Sequence, residues 1–256
     1  MLSKCARRRF SRPTLGGMDG LSLTDPGRLA RALRGTFVVF EGPDGSGKTT
    51  QMRRLKALLD EQGTACIEVR EPGGTDIGEQ IRQVLLHTKA QMTLRCEMLL
   101  YMASRAQLVE ERIRPALARG EVVLADRYLS STLAYQGSAG GIPTQDILDV
   151  ARASLSGCMP HLVMIFDVDE ETAASRINPL LATSTRKEGL DRIESRGSEY
   201  HRAVRRGYLE QAKLFPDYYR VIDASRTPDE IWQSALRTLG EFARTRPLAA
   251  GGAAKL

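Results

Sequence analysis

The chain of 256 residues holds only four cysteines, three histidines, one tryptophan and a single asparagine, Asn178. Cys5, Cys66, Cys96 and Cys158 lie far apart with no C-x-x-C pair, and His87, His161 and His201 are isolated. That spacing offers neither a zinc site nor a disulfide framework, and reduced thiols in a cytosol-like compartment are expected. No apolar run approaches the roughly 20 residues that a membrane-spanning helix requires. With 42% hydrophobic and 27% charged residues, the chain is also neither disordered nor fibrous. Its length suits one large α/β domain.

The net charge of +6 is unevenly distributed. Residues 1–35 carry eight cations against two acids, whereas the rest of the chain balances 29 against 29. The basic character belongs to an arm and not to the body, which removes most of the case for a nucleic-acid surface. The arm is rich in Arg, Gly and Ser and has no apolar core like that of a secretory signal. It is expected to be a disordered extension, with organelle targeting as the alternative. The body is expected to span residues 36–244, followed by a flexible tail over 245–256.

From residue 36 the text becomes periodic. Residues 36–41 (TFVVFE) read as a buried strand, and 48–61 carry Met52, Leu55, Leu58 and Leu59 on one helical face. Strands are predicted at 65–70, 121–126, 162–167 and 218–222. Helical patterns fall at 94–118, where Pro115 should bend or end the helix, and at 144–156, 196–213 and 228–243. Alternating strands and helices predict a five-stranded parallel sheet covered on both faces, with ligands beyond the C-terminal strand ends.

Residues 42–49, GPDGSGKT, satisfy G-x-x-x-x-G-K-[ST] between a predicted strand and a predicted helix. Gly42, Gly45 and Gly47 let the backbone turn its N–H groups onto phosphate oxygens, and the helix that follows presents its positive end to the same anion. Lys48 adds a charge near the β- and γ-phosphates, and the Thr49 hydroxyl can ligate Mg²⁺. The loop predicts a nucleoside triphosphate without naming the acceptor. Because Asn178 is followed by Pro179, the N-K-x-D element that reads guanine is absent. Motor and ring ATPases need more chain than the body has, which leaves the small-molecule kinases.

Three further segments narrow that class: REPGGT at 70–75, YMASR at 101–105 and DRYLSSTLAYQ at 126–136. Together with FEGPDGSGKTT at 40–50 and LDRIE at 190–194, they closely resemble the thymidylate kinase family, P-loop kinases that phosphorylate dTMP to dTDP. The resemblance runs from about residue 36 to 244. It implies a P-loop NTPase fold with a lid, ATP as phosphoryl donor, Mg²⁺ as cofactor, and dTMP as acceptor. It also implies a homodimer in the cytoplasm that needs neither nucleic acid nor membrane.

Carried onto this chain, the resemblance gives Gly42, Pro43, Asp44, Gly45, Ser46, Gly47, Lys48, Thr49 and Thr50 to ATP. Thr49, Asp44 and Asp126 go to Mg²⁺, partly through water. Asp44 would also face the acceptor's 3′-hydroxyl, and Arg70 and Arg127 would hold its phosphate. Tyr101 would stack on the base, Arg105 would bond a base carbonyl, Ser131 and Thr132 would make further polar base contacts, and Tyr135 and Gln136 would line the sugar. Asp167 ends a strand as a Walker-type acid would, but its expected role is structural. The predicted lid covers residues 177–194, with Arg186, Lys187 and Arg192 as its catalytic cations beside Lys48 and Arg127. Here the chain departs from the family pattern, in which several lid arginines cluster: the lid is longer than usual and Lys187 stands where an arginine would be expected, and lysine cannot reproduce a bidentate fork. Two other readings stay open at this point: another P-loop nucleoside or deoxynucleoside kinase, and a nucleotide-binding sensor that uses the basic arm.

Overall fold

In a computed structural model, residues 25–182, 192–193 and 196–245 are described. Five parallel strands, β1 (Phe37–Glu41), β2 (Cys66–Arg70), β3 (Val122–Asp126), β4 (Leu162–Asp167) and β5 (Tyr219–Asp223), lie in the order β2-β3-β1-β4-β5. The chain steps outward from β1 in both directions, so the crevice beyond the strand ends opens beside β1. In the register, Phe40 pairs with Asp126 and Arg70 also pairs with Asp126, so β1, β2 and β3 finish almost level.

The period-2 alternation of the strands sorts two cores. Val39, Val123, Ala125, Val163 and Ile165 face one layer, packed with Leu85, Met98, Met102, Ile147 and Val204. Those partners come from α3 (Asp76–His87), α4 (Leu94–Leu108), α7 (Thr144–Leu155) and α9 (Ser198–Leu214). Val38, Phe40, Leu124, Met164 and Phe166 face the other layer, against Leu29, Leu33, Leu55, Leu59 and Leu239. These belong to α1 (Pro26–Ala32), the turn after it, α2 (Lys48–Glu61) and α10 (Pro228–Thr245). At the head of α10, Thr227 and Glu230 exchange side-chain and backbone hydrogen bonds, closing a capping box.

Three expectations need correction. The extension expected over residues 1–35 is not wholly outside the fold. Asp25 caps α1 by accepting from the Arg28 N–H at 2.8 Å, and Leu29, Ala30 and Leu33 are buried. Seven residues are too few to show a durable apolar period, which is why the sequence pattern missed this helix. A chain that starts at residue 36 should lose the burial of Leu29 and Leu33, about 1.5–3 kcal/mol each, read as a fall in Tm against a chain that starts at residue 25.

The predicted helix over 94–118 is in fact α4, a π-helical turn (Val109–Ile113) and α5 (Arg114–Ala118). Pro115 sits in the first turn of α5, and the wider turn ahead of it accommodates its missing N–H. Of the lid expected over residues 177–194, residues 177–182 are instead the last turns of α8 (Glu170–Ala182). Arg186 and Lys187 lie outside the described residues.

Candidate active site

The phosphate loop follows β1 directly. Gly42 has φ +137° and Gly45 has φ +79°; an added Cβ would stand 2.5 Å from the Phe166 carbonyl oxygen or 2.4 Å from that of Ala173. Only glycine fits either position. The buried Lys48 side chain reaches back to Asp44, with Nζ 3.3 Å from Oδ1, and lies 4.0 Å from Asp126 Oδ1. The Thr49 hydroxyl donates to Asp126 Oδ2 at 2.8 Å.

Arg127, just past β3, holds φ +72°, a left-handed conformation that side chains rarely adopt. Its backbone N–H donates to the Phe40 carbonyl at 3.0 Å, which stitches it to β1. The guanidinium donates to Asp44 Oδ1 at 2.8 Å, to Tyr208 at 3.1 Å and to Ser131 Oγ at 3.2 Å, and lies 5.3 Å from the Tyr135 ring centre. Lys48 and Arg127 therefore meet on one carboxylate. Burial would raise the Asp44 pKa, but Arg127 and then Lys48 overcome that and hold it well below the usual carboxylate range.

Underneath, Glu41 is fully buried at the end of β1. It accepts from the Tyr128 N–H at 2.9 Å, the Ser131 N–H at 3.1 Å, Ser131 Oγ at 2.7 Å and the Tyr208 hydroxyl at 2.9 Å. This one carboxylate fixes the turn that presents Arg127. Burial pushes its pKa up, against the opposing pull of Arg127 and these bonds.

A cleft of about 570 Å³ opens above these groups. Among the residues singled out from the sequence, Asp44, Lys48, Thr49, Arg70, Tyr101, Asp126, Arg127, Ser131, Thr132, Tyr135 and Gln136 all line it. Arg70 bonds both Glu79 oxygens, at 3.1 and 3.2 Å. The Tyr135 ring is held edge-to-face by Tyr200 and Tyr208, at 6.2 and 6.3 Å.

Two singled-out arginines stand elsewhere. Arg105 is 1% exposed and does not line the cleft. Its Nε donates to Glu71 Oε2 at 2.6 Å, while Nη2 donates to the Tyr128 carbonyl and Thr132 Oγ1, each at 3.1 Å. It is a strut behind the pocket wall. Burial pushes the Glu71 carboxyl up to about 7, opposed by Arg105. Arg192 is anchored rather than pointed at the phosphate loop: its Nε donates to the Leu85 carbonyl at 3.0 Å and Nη2 to Glu97 Oε2 at 2.5 Å. Asp167 is gripped by Arg205 through bonds of 2.6 and 2.8 Å. The pattern missed Arg53, Glu71, Arg82 and Arg112, which also line the cleft. It missed Glu41 and Glu97 as well, although the strand-end position of Glu41 was a usable signal.

The oxygen donors fit a hard cation. Thr49 and Asp126 already share a hydrogen bond at the foot of the loop, and Asp44 faces them across Lys48. No cluster of three or more His, Cys, Asp or Glu side chains capable of holding a metal occurs among the described residues. Such a site suits Mg²⁺, which binds through one or two carboxylates plus substrate phosphates and not in an all-protein cage.

Comparison with known proteins agrees with this geometry. The thymidylate kinase family model matches residues 40–235. The thymidylate kinase of Symbiobacterium thermophilum is 43% identical over 216 residues, covering 84% of this chain and 97% of the relative. That of Pelotomaculum thermopropionicum is 43% identical over 210 residues, covering 82% and 94%. That of Bifidobacterium longum strain DJO10A is 40% identical over 215 residues, covering 82% and 100%. A match of this extent, on a sheet that brings the loop, Arg127 and the cleft together, places the chain in the thymidylate kinase family.

Proposed function

We propose that the protein transfers the γ-phosphoryl group of ATP to the phosphate of dTMP, giving dTDP and ADP. The observation that carries this reading is the meeting of Lys48 and Arg127 on Asp44, at 3.3 and 2.8 Å. A donor-phosphate cation and an acceptor-side cation share one anchor, so the two phosphate-holding groups stand side by side.

The nucleophile is a phosphate oxygen that is already ionised at neutral pH, so no general base is required. The work is positioning and charge neutralisation. The glycine-rich loop and the α2 N-terminus hold the donor phosphates, and Lys48 screens their charge. Arg127, preset by Glu41, clamps the acceptor phosphate, with Arg70 beside it at the mouth of the cleft. When the phosphates enter, Lys48 and Arg127 exchange part of their hold on Asp44 for phosphate oxygens. This releases the carboxylate toward the acceptor sugar. Thr49 and Asp126 would hold Mg²⁺, which supplies electrostatic stabilisation of the transferring phosphoryl group. Tyr101 covers the base, and the Tyr135 ring stands where a ribose 2′-hydroxyl would fall. Arg186 and Lys187 are retained as lid cations in this reading, while Arg192 serves as an anchor.

The family also supports a homodimer working in the cytoplasm. No described helix is long and apolar enough to cross a membrane. On α4, Leu94, Met98 and Met102 pack against the core, with Met98 and Met102 at 1% and 2% exposure. The large apolar side chains that α3 and α4 leave exposed are Ile77, Val84 and Leu99, and these are the candidates for a subunit contact.

An ADP-release assay across dTMP, dCMP, AMP, GMP and thymidine tests the function. Turnover of dTMP should exceed each of the others by at least about 100-fold in kcat/KM, in line with a site built to bond its substrate's polar edge. Equal activity on all the monophosphates, or a preference for thymidine, would sink the proposal.

A further inference from the structure

Glu97, in the first turn of α4, is the one fully buried carboxylate on the helix that carries Tyr101, and no step of the phosphoryl transfer uses it. Its two oxygens are divided. Oε2 accepts from Arg192 Nη2 at 2.5 Å and from Arg196 Nη2 at 2.7 Å. Oε1 accepts from the Gln136 side-chain amide nitrogen at 2.8 Å. Gln136 is itself buried, at 2% exposure, yet it lines the cleft.

The chemistry of this contact has one polarity. Carboxylate oxygens accept, and with Oε2 taken by two guanidinium groups Oε1 takes a donor from Gln136. The NH₂ end of the amide must face Glu97, and the carbonyl oxygen is left on the side away from it. Among the described residues, the bond to Glu97 is the one side-chain hydrogen bond of Gln136 that chooses between the two ends of the amide. Glu97 and Tyr101 are four residues apart on α4 and share a face, so the bond draws Gln136 toward the base end of the cleft and away from the sugar.

We infer that Glu97 is a positioning residue for base selection: it locks the Gln136 amide with its oxygen as the reading group, so that the cleft takes a pyrimidine with a ring N–H and rejects one with a bare ring nitrogen. Thymine and uracil carry that N–H between two carbonyls, whereas cytosine presents a lone pair at the same place. An amide oxygen attracts the first and repels the second. The inference rests on the dTMP reading above and gives the residue behind its selectivity.

The test is the ratio of kcat/KM for dTMP to that for dCMP. Glu97→Gln keeps the shape but offers Gln136 either polarity, and the ratio should fall by at least about tenfold, with dCMP gaining as dTMP loses. Glu97→Asp, which still only accepts, should keep the ratio within about threefold of the parent even where both rates drop. In a Gln136→Met background, adding Glu97→Gln should leave the ratio unchanged, because the residue acts through the amide. An equal loss for both nucleotides with the ratio intact would assign Glu97 a structural role only and overturn the inference. Should the Glu97→Gln protein lack a cooperative melt, the parent protein still decides the matter. Labelled with ¹⁵N-glutamine, its Gln136 side-chain NH₂ resonances should be protected from exchange and stay so when dTMP is added. Loss of that protection on binding would mean that the amide turns, and would overturn the inference equally. If the parent enzyme turns over neither nucleotide, the proposed function has failed; if it turns over dTMP and the ratio ignores Glu97, this inference alone has failed.

Discussion

Replacing Arg127 with alanine should lower kcat/KM for dTMP by about 10³-fold or more, while ATP affinity changes by less than about fivefold. The asymmetry follows from the geometry. The Arg127 guanidinium touches Ser131 and Tyr208 and overlies Tyr135 on the acceptor side, and its one bond to the phosphate loop goes to the shared anchor Asp44 and not to residues 45–50. A small effect on ATP remains, because Asp44 freed from Arg127 draws harder on Lys48. Arg127→Lys should recover little, since an ammonium cannot span two phosphate oxygens as the planar fork does. Steady-state kinetics in dTMP and a separate ATP titration measure the two quantities. Equal losses in both would move Arg127 to the donor side and break the role assigned to it.

Arg105→Ala should act mainly on folding. The Arg105–Glu71 pair is closed to solvent, with side-chain exposures of 1% and 2%. Removing one member of such a pair leaves the other without compensation and typically costs about 3–5 kcal/mol. For a domain of this size that corresponds to a fall of roughly 10 °C in Tm. The loss should also depend on pH. Glu71 already titrates above its unfolded value, at about 7, because burial outweighs Arg105. A raised carboxyl pKa means that the native state binds a proton which the unfolded state has released, so stability falls as pH rises through that window. Without Arg105 the pKa rises further, and the variant should regain stability as the medium is acidified from about pH 8 toward about pH 5.5. A variant with an unchanged melt and only a weakened KM would return Arg105 to the substrate-facing role that the family resemblance implied.

That contrast shows how far the sequence could be read. The loop glycines, Lys48, Thr49, Asp126 and Arg127 were legible because each lies at a strand end, where local spacing alone decides what faces the crevice. Tyr101 and Arg105 are four residues apart on one helix, yet Tyr101 lines the cleft and Arg105 is buried behind it. Helix periodicity gives a face but not the depth a long side chain reaches once Glu71 is there to receive it. Glu97 was passed over for the same reason: a lone acid looks like surface until the fold surrounds it with donors, whereas Glu41 closes a run already read as a buried strand. Helix α3 was missed because Gly78 lies in its first turn and lowers helix propensity. The structure requires that glycine, since a Cβ there would sit 2.8 Å from Thr75 Oγ1 and 2.9 Å from the Gly73 carbonyl oxygen.

The level finish of β1, β2 and β3, with Phe40 and Arg70 both paired to Asp126, bears on how such a chain can vary over evolutionary time. Deleting or duplicating one residue inside β3 would swap its sheet faces, turning Asp126 away from Thr49 and carrying the Arg127 turn off the crevice in the same stroke. Changes of length in these strands are thus all-or-nothing events. Growth and shrinkage are left to the connections at the opposite, N-terminal ends of the strands, and those are the places where an insertion library should recover active clones.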